Sequence, residues 1–446
     1  MDAVMRRPEP LEWHSIEELC DRCLGGRPSP DVLRMLEPLA QERTEVRDFV
    51  RRALQLAGIS GLGAENLSPF FAIGLAVSGG ILPGAWGGMV PPITRAGRHK
   101  AIDEYLAHTR WRRFGAGTVM IELGCGFPPQ TAVDASVRFP DWQVVGADPV
   151  FDPYLYEDQD MYACCSQDGG VRYFSKQPTA DLSTWVKLVG DRGATTRRVS
   201  AQFEQLVATL PFPDEGDMCV ATAGGSRLTR WPLKQWESPN LTFVQAGVGS
   251  LDLPAADLIR CFNVLMYYDA PFRRQFEAWA VSILSDGGLA VTGIDAPNNA
   301  EAHYEVYRKE GDTLVEREFA FSLDNVRALS MMPWFSLHDD ESGALRLAHL
   351  VRIIRSDERY RAKFDARFDE LLRANDLMVR DADGYLAWAT DSSLARIVAD
   401  NSALAAQLDR DGFTQAACEV LRRSGFVAWR NEAGHAAVDP SGFVNP

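Results

Sequence analysis

The sequence predicts an α/β protein: a buried, mostly parallel sheet in the middle of the chain, with helical additions on either side. Three observations carry this reading. At Thr118 the apolar period changes from helical to a nearly continuous run, TVMIEL, as in a strand covered on both faces. That run ends in Gly-Cys-Gly and leads through PPQTAVDASVRFP, a helical stripe, into a second buried strand, WQVVGAD. Farther on, LTFVQAG, ADLIRCFNVLMYY, APFRRQFEAWAVSIL and LAVTGID restore the alternation of strand and helix.

Residues 12–57 carry Val32, Leu33, Leu36 and Leu39, then Val46, Phe49, Val50 and Leu54, at helical spacing. TRAGRHKAIDEYLAHTRWRRF reads as a further helix. The domains expected are therefore a helical N-terminal cap over 1–110, an α/β core over 111–322 and a mainly helical region over 323–446. Within the core, regular alternation lapses at about 152–239, which reads as an insertion. HYEVYRKEGDTLVEREFAF and SGFVAWRNEAGHAAVDP are both candidate hairpins, and either could complete the sheet.

Bulk properties narrow the function. With 446 residues, 46% apolar and 24% charged, the chain is an ordinary globular protein of two to three domains. Its net charge of −15 repels phosphate backbones and anionic membranes, which argues against a nucleic-acid or membrane partner. The stretch 66–94 has no charge, but its glycines and prolines argue for a buried or lid-forming connector rather than a membrane span. Trp86 and Met89 there line a pocket or fill a core. The N-terminus lacks the apolar segment of a secretory signal, so a cytoplasmic address is expected. The eight cysteines read as free thiols, and Cys20-x-x-Cys23 lacks the second ligand pair a zinc site needs, so no metal is expected.

The chemistry concentrates in Glu122-Leu123-Gly124-Cys125-Gly126, followed by a helix and then by Asp148 at the end of the next strand. Glycines at a strand end let the backbone approach a ligand closely, and an acidic residue ending the second strand can hold the hydroxyls of a ribose. A dinucleotide site prefers another glycine where Pro129 stands, and Glu122 is unwelcome beside a pyrophosphate. A carboxylate there suits a cationic amino group.

This arrangement resembles the class I S-adenosylmethionine-dependent methyltransferases, whose first motif is matched by ELGCG. The likeness extends over roughly 111–321, less the insertion. It implies a seven-stranded Rossmann-like sheet with S-adenosylmethionine as cofactor. By the same resemblance Glu122, Gly124, Cys125 and Gly126 would contact the methionine part, Asp148 the ribose, and Phe262 and Asn263 the region facing the methyl group. The family often has an acidic residue after the third strand to accept the adenine amino group; here Gly247 and Val248 occupy it, so backbone groups of 247–249 would take that role. Pro128 stands where a third glycine is frequent. The run around Asn263 is locally similar to the chemotaxis-receptor glutamate methyltransferases, although the net charge disfavours their acidic partners.

A small-molecule acceptor is therefore expected, methylated on oxygen, nitrogen or a carboxyl group. A protein carboxyl methyltransferase and a noncatalytic nucleoside-binding scaffold are the alternatives, and a homodimer is left open. The candidate catalytic residues are Tyr267, Tyr268 and His303, which follow strands whose C-terminal ends face ligands in open α/β sheets. Asp295 and Tyr304 lie in the same region. His338 reads as a surface histidine and the aromatics of MMPWF (331–335) as core.

Overall fold

The computed structural model describes residues 11–443 apart from 87–95, 178, 181–183, 185–186, 189, 212–216, 251, 297–299, 331–333, 336, 339–341 and 390–402. The chain divides into two compact units. Unit 1 comprises Met1–Val90, Gly97–Thr118 and Pro254–Pro446; unit 2 comprises Pro91–Ala96 and Val119–Leu253.

Unit 1 begins with α1 (Ile16–Leu24), α2 (Pro30–Leu36), α3 (Thr44–Ile59), α4 (Pro69–Trp86) and α5 (Lys100–His108). α1 starts where the Ser15 side chain accepts the Glu18 N–H, and it stops at Gly25 in the left-handed region. α3 buries Val46, Phe49, Val50 and Leu54, the stripe read from the sequence. The charge-free stretch supplies α4, whose Phe71, Ala72 and Leu75 are buried. Among the described residues no helix is long and apolar enough to cross a membrane. Met89 and the Trp86 side chain lie outside the described residues.

Unit 2 holds β1 (Val119–Leu123), α6 (Gln130–Arg138) and β2 (Gln143–Asp148), the strand–helix–strand unit expected, with β1 and β2 parallel. The mixed segments that follow form strands of their own: β3 (Tyr154–Glu157), β4 (Met161–Cys165), β5 (Val171–Lys176), β6 (Cys219–Ala223) and β7 (Ser226–Arg230), with α7 (Arg192–Val207) between β5 and β6. They make an antiparallel sheet in the order β5-β4-β3-β7-β6. Its side chains alternate between two cores, as a strand period of two requires. Tyr154, Tyr156, Met161 and Ala163 pack with Val199, Phe203 and Leu206 of α7. Leu155, Tyr162 and Cys164 instead pack around Phe127, just beyond the Gly-Cys-Gly turn. β8 (Leu241–Gln245) then returns beside β2, parallel, with Gln245 opposite Asp148.

The remainder of unit 1 is β9 (Ala256–Phe262), α8 (Ala270–Ile283), β10 (Leu284–Ile294), β11 (His303–Glu310), β12 (Thr313–Phe321), α9 (Ser342–Ser356), α10 (Glu358–Ala374), the short hairpin β13 (Met378–Arg380) and β14 (Leu386–Trp388), α11 (Phe413–Arg423), β15 (Ala428–Arg430) and β16 (Ala436–Val438). β9 and β10 are parallel, and β11, β12, β16 and β15 follow in antiparallel order. The α/β class therefore holds, with a correction to the seven strands. Among the described residues, unit 2 contributes β1, β2 and β8 to parallel pairs, and unit 1 carries a six-strand ladder in which only β9 and β10 are parallel. Both candidate hairpins belong to that ladder, because Phe319, Ala320 and Phe321 pair with Val438, Ala437 and Ala436.

The limits of unit 1 cut across the boundaries near 110 and 322 drawn from the sequence. One hydrophobic core explains why: it joins Phe49, Val50 and Phe71 of the N-terminal helices to Phe319 and Phe321 of β12 and to Leu347, Phe364 and Leu421 of the C-terminal helices. Trp334 and Phe335 are buried in it, as read, while Met331, Met332 and Pro333 lie outside the described residues.

Several buried charges in unit 1 are paired. Arg260 on β9 is fully enclosed and forms an ion pair with Asp103 of α5, itself only 7% exposed. Removing one partner strands the other charge in a medium that solvates it poorly. Arg260→Ala is thus expected to lower stability by about 3–5 kcal/mol in urea unfolding. A loss below about 1 kcal/mol would mean that water reaches Asp103.

Candidate functional site

The parallel register of unit 2 builds the site. Glu122 lies opposite Gly146 and Leu123 opposite Ala147, so β1 ends one residue short of β2. The chain then turns under the Ala147 carbonyl, which accepts the N–H groups of Gly124 (2.7 Å) and Cys125 (3.2 Å). Such a turn needs left-handed backbone, and Gly124 and Gly126 provide it at φ +72° and +67°. The Gly126 N–H is thereby delivered to Asp148 Oδ2 at 3.1 Å, while Asp148 Oδ1 accepts the Val150 N–H at 3.0 Å.

Each Asp148 oxygen therefore spends one lone pair on backbone and keeps acceptor capacity for another donor. Burial raises the Asp148 carboxyl to about 6, only partly offset by the hydrogen bonds from Val150 and Gly126. The third strand end adjoins this turn. Ala246 donates to the Asp148 carbonyl at 3.0 Å, and Gly247 leaves open the space beside Pro149, where a Cβ would stand 3.4 Å from the proline side chain. Val248 is half-buried next to it.

Glu122 is buried at the end of β1, and the Cys125 thiol is enclosed beneath the turn. Desolvation, with the Asp148 and Glu122 charges adding to it, pushes that thiol well above the usual range, so Cys125 fills space and is no nucleophile. Phe127 closes the far side edge-to-face with Trp236, ring centres 5.6 Å apart. Glu122, Gly124, Cys125, Gly126, Asp148, Gly247 and Val248 all occupy the C-terminal end of the parallel strands of unit 2.

Phe262 and Asn263 belong to unit 1, at the end of β9. Asn263 has a left-handed φ of +58°, a conformation Asn tolerates better than most residues. Reciprocal hydrogen bonds with Asp295 lock it: Asn263 Nδ2 donates to Asp295 Oδ1 at 2.6 Å, and Asp295 N–H donates to Asn263 Oδ1 at 3.1 Å. The fully buried Asp295 also accepts from Arg98 Nε (3.1 Å) and meets His99 Nδ1 at 2.9 Å. Burial pulls its carboxyl upward, but His99, Arg98 and Asn263 outweigh burial and hold it below the ordinary range. Phe262 packs against the His99 ring, centres 5.0 Å apart. Arg98 and His99 join the Asn263–Asp295 network, which the sequence reading missed. Their only local signal is the basic run before α5, and the contact closes across nearly two hundred residues.

The three candidate catalytic residues do not cluster with Asn263 in one polar network. Tyr267 packs edge-to-face on Phe335, and burial pushes its phenol to about 12, so it can donate a hydrogen bond but is not a base at neutral pH. Tyr268 stacks on Phe272 with ring centres 4.0 Å apart. His303 opens β11, is 3% exposed, and is held neutral down to about pH 4 by burial. It lines a pocket of about 100 Å³. His338, expected at the surface, is half-buried and meets the Tyr267 carbonyl through Nε2 at 3.0 Å.

No group of three or more His, Cys, Asp or Glu residues suited to a metal occurs among the described residues. Cys20 and Cys23 are free, and burial raises their thiols to about 12 and 11.

No protein-family model and no curated protein matches this chain. Solved structures similar to it are methyltransferases. The N-methyltransferase NodS from Bradyrhizobium japonicum WM9, in complex with S-adenosyl-L-homocysteine, is 14% identical over 44% of this chain and 59% of its own, with a TM-score of 0.20. An O-methyltransferase family 2 protein from Planctomyces limnophilus DSM 3776, in complex with apigenin, is 14% identical over 64% of this chain and 72% of its own, with a TM-score of 0.24. The plantazolicin methyltransferase BpumL, in complex with the same homocysteine product, is 9% identical over 89% of this chain and 99% of its own, with a TM-score of 0.24. The chain thus spans about three fifths of the length of the first of these. At such scores the functional reading is left to the residues themselves.

Asp295 anchors the unit 1 network, so Asp295→Ala is expected to cost about 3–5 kcal/mol in thermal or urea unfolding. The sign of its pH dependence follows from the lowered carboxyl. The stabilisation is complete above the unfolded-state value of 3.8 and is lost as pH falls through the lower folded value. The difference between wild type and variant should accordingly shrink below about pH 4; a constant difference from pH 8 to pH 3 would show that the charge of Asp295 is not what stabilises.

Proposed function

We propose that this chain is an S-adenosylmethionine-dependent methyltransferase that acts on a small-molecule acceptor. The observation that carries the reading is the closure of the Gly-Cys-Gly turn on Asp148 at 3.1 Å, at the C-terminal end of parallel strands. It supports a nucleoside ligand because a half-buried carboxylate with acceptor capacity to spare lies beside a backbone turn that has no side chains at Gly124 and Gly126. The donor set fits S-adenosylmethionine better than a dinucleotide. Pro129 caps α6 where a dinucleotide turn prefers glycine, and the buried Glu122 carboxylate would repel a pyrophosphate but attract an ammonium.

The sulfonium cofactor supplies an electrophilic methyl group. The protein's residues have to align donor and acceptor and keep water out, which is worth several kcal/mol without a proton transfer. Asp148 would fix the ribose hydroxyls, Glu122 the amino group, and backbone at Gly247 and Val248 the adenine. Within unit 1, Asp295 meets His99 Nδ1 at 2.9 Å, whereas the His303 ring is held neutral by burial with no carboxylate on Nδ1.

Calorimetry is expected to give micromolar binding of S-adenosylmethionine and its demethylated product and no comparable binding of NAD; preference for NAD would overturn the proposal. Asp148→Ala should weaken nucleoside binding about tenfold to a hundredfold, from loss of one hydrogen bond to a charged acceptor at about 1.5–3 kcal/mol. Because the Asp148 carboxyl is raised to about 6, wild-type affinity should fall as pH drops through that value, and Asp148→Asn should lose the dependence. Mass spectrometry of a metabolite extract incubated with labelled cofactor would identify the acceptor.

A further inference from the structure

The pocket lined by His303 lies inside unit 1, between the β10–β11 ladder and helices α8 and α9. Its volume of about 100 Å³ is that of roughly three water molecules. On β11, His303, Glu305 and Tyr307 point to one face by the strand period of two, and all three line it. Glu277 enters from α8.

These groups are rich in hydrogen-bond acceptors. His303 Nδ1 has no hydrogen-bond partner among the described residues, although its ring is almost fully enclosed. The cations nearby are shared: Arg346 donates to Glu316 at 2.6 Å and stands 4.0 Å from Glu305, and Arg273 donates to the Tyr268 carbonyl at 2.6 Å. Thr292 spends its hydroxyl proton on Glu305 at 3.2 Å. Two carboxylates, Glu277 and Glu305, thus line the cavity with one lining cation, Arg273, while Arg346 outside the lining reaches Glu305 only at 4.0 Å and is closer to Glu316. Met266, Phe276 and Ile294 supply its apolar wall.

We propose that this pocket binds a small organic cation, an ammonium or alkylammonium head group, whose N–H donors meet Glu305, Glu277 and His303 Nδ1 and whose alkyl part lies against the apolar wall. Burial and the neighbouring Glu316 raise the Glu305 carboxyl to about 7, a crowding of negative charge that a bound cation relieves. The inference is independent of the methyl-transfer reading, and no nucleoside enters its test.

The test is calorimetric titration of the full chain with ethylammonium chloride at pH 8, beside sodium acetate and sodium chloride at equal ionic strength. Saturable binding of ethylammonium alone is expected, with a Kd of about 1 mM, near the limit for so few atoms. Glu305→Gln should weaken it at least tenfold, and Glu277→Gln severalfold. Glu310→Gln, at the hairpin turn and outside the pocket, should leave it unchanged. Circular dichroism checks folding; if Glu305→Gln does not fold, Glu277→Gln decides. Absence of saturable ethylammonium binding, an equal response to acetate, or full binding in both pocket variants would overturn the proposal.

Discussion

The parallel register of β1 against β2 is the constraint on which the candidate nucleoside site depends. Because Leu123 pairs with Ala147, the chain leaving β1 has one carbonyl within reach, and two successive N–H groups close on it. The left-handed glycines at 124 and 126 then carry the next N–H to Asp148. A slip of one residue would exchange the faces of the strand and send Glu122 to the opposite side. Gly146 protects the same register from within: a Cβ there would lie 2.6 Å from the Phe243 ring, in space now shared with the Cys125 sulfur.

Asp148 and Asp295 illustrate how surroundings divide the labour of two carboxylates. Asp295 is fully buried and Asp148 half-buried, and loss of water by itself favours the neutral acid. Asp295 gains His99, Arg98 and Asn263 and stays charged. Asp148 gains only backbone N–H groups, so desolvation wins and its carboxyl rises. The first is saturated with donors and acts as an anchor. The second retains unmet acceptor capacity, the state expected of a group that waits for hydroxyl donors.

The antiparallel sheet of unit 2 serves the site through packing. One face rests on α7, and the other supplies Leu155, Tyr162 and Cys164 around Phe127, so the residue just after the glycine turn is clamped by apolar contacts. A turn held in this way has fewer backbone states to lose when it binds a ligand, which is how preorganisation raises affinity.

By itself the sequence determined the strand–turn–helix at 118–138, the acidic strand end at 148, the hairpin at 303–321 and the helical stripes of α3, because each follows from local period, turn chemistry or a short motif. Tertiary structure alone decided the rest. The five strands of the antiparallel sheet are four to six residues long with split faces, too short for their period to stand out. The joining of both C-terminal hairpins to one ladder, and the shared core of the N-terminal and C-terminal helices, depend on pairings between residues far apart in the chain. Arg98 and His99 lie before a helix with no motif to mark them, and His303 looks like a reactive histidine until burial makes it a neutral one. The reason is common to all of these: hydrogen-bond partners and desolvation are set by which distant residues meet, and local sequence carries no record of that meeting.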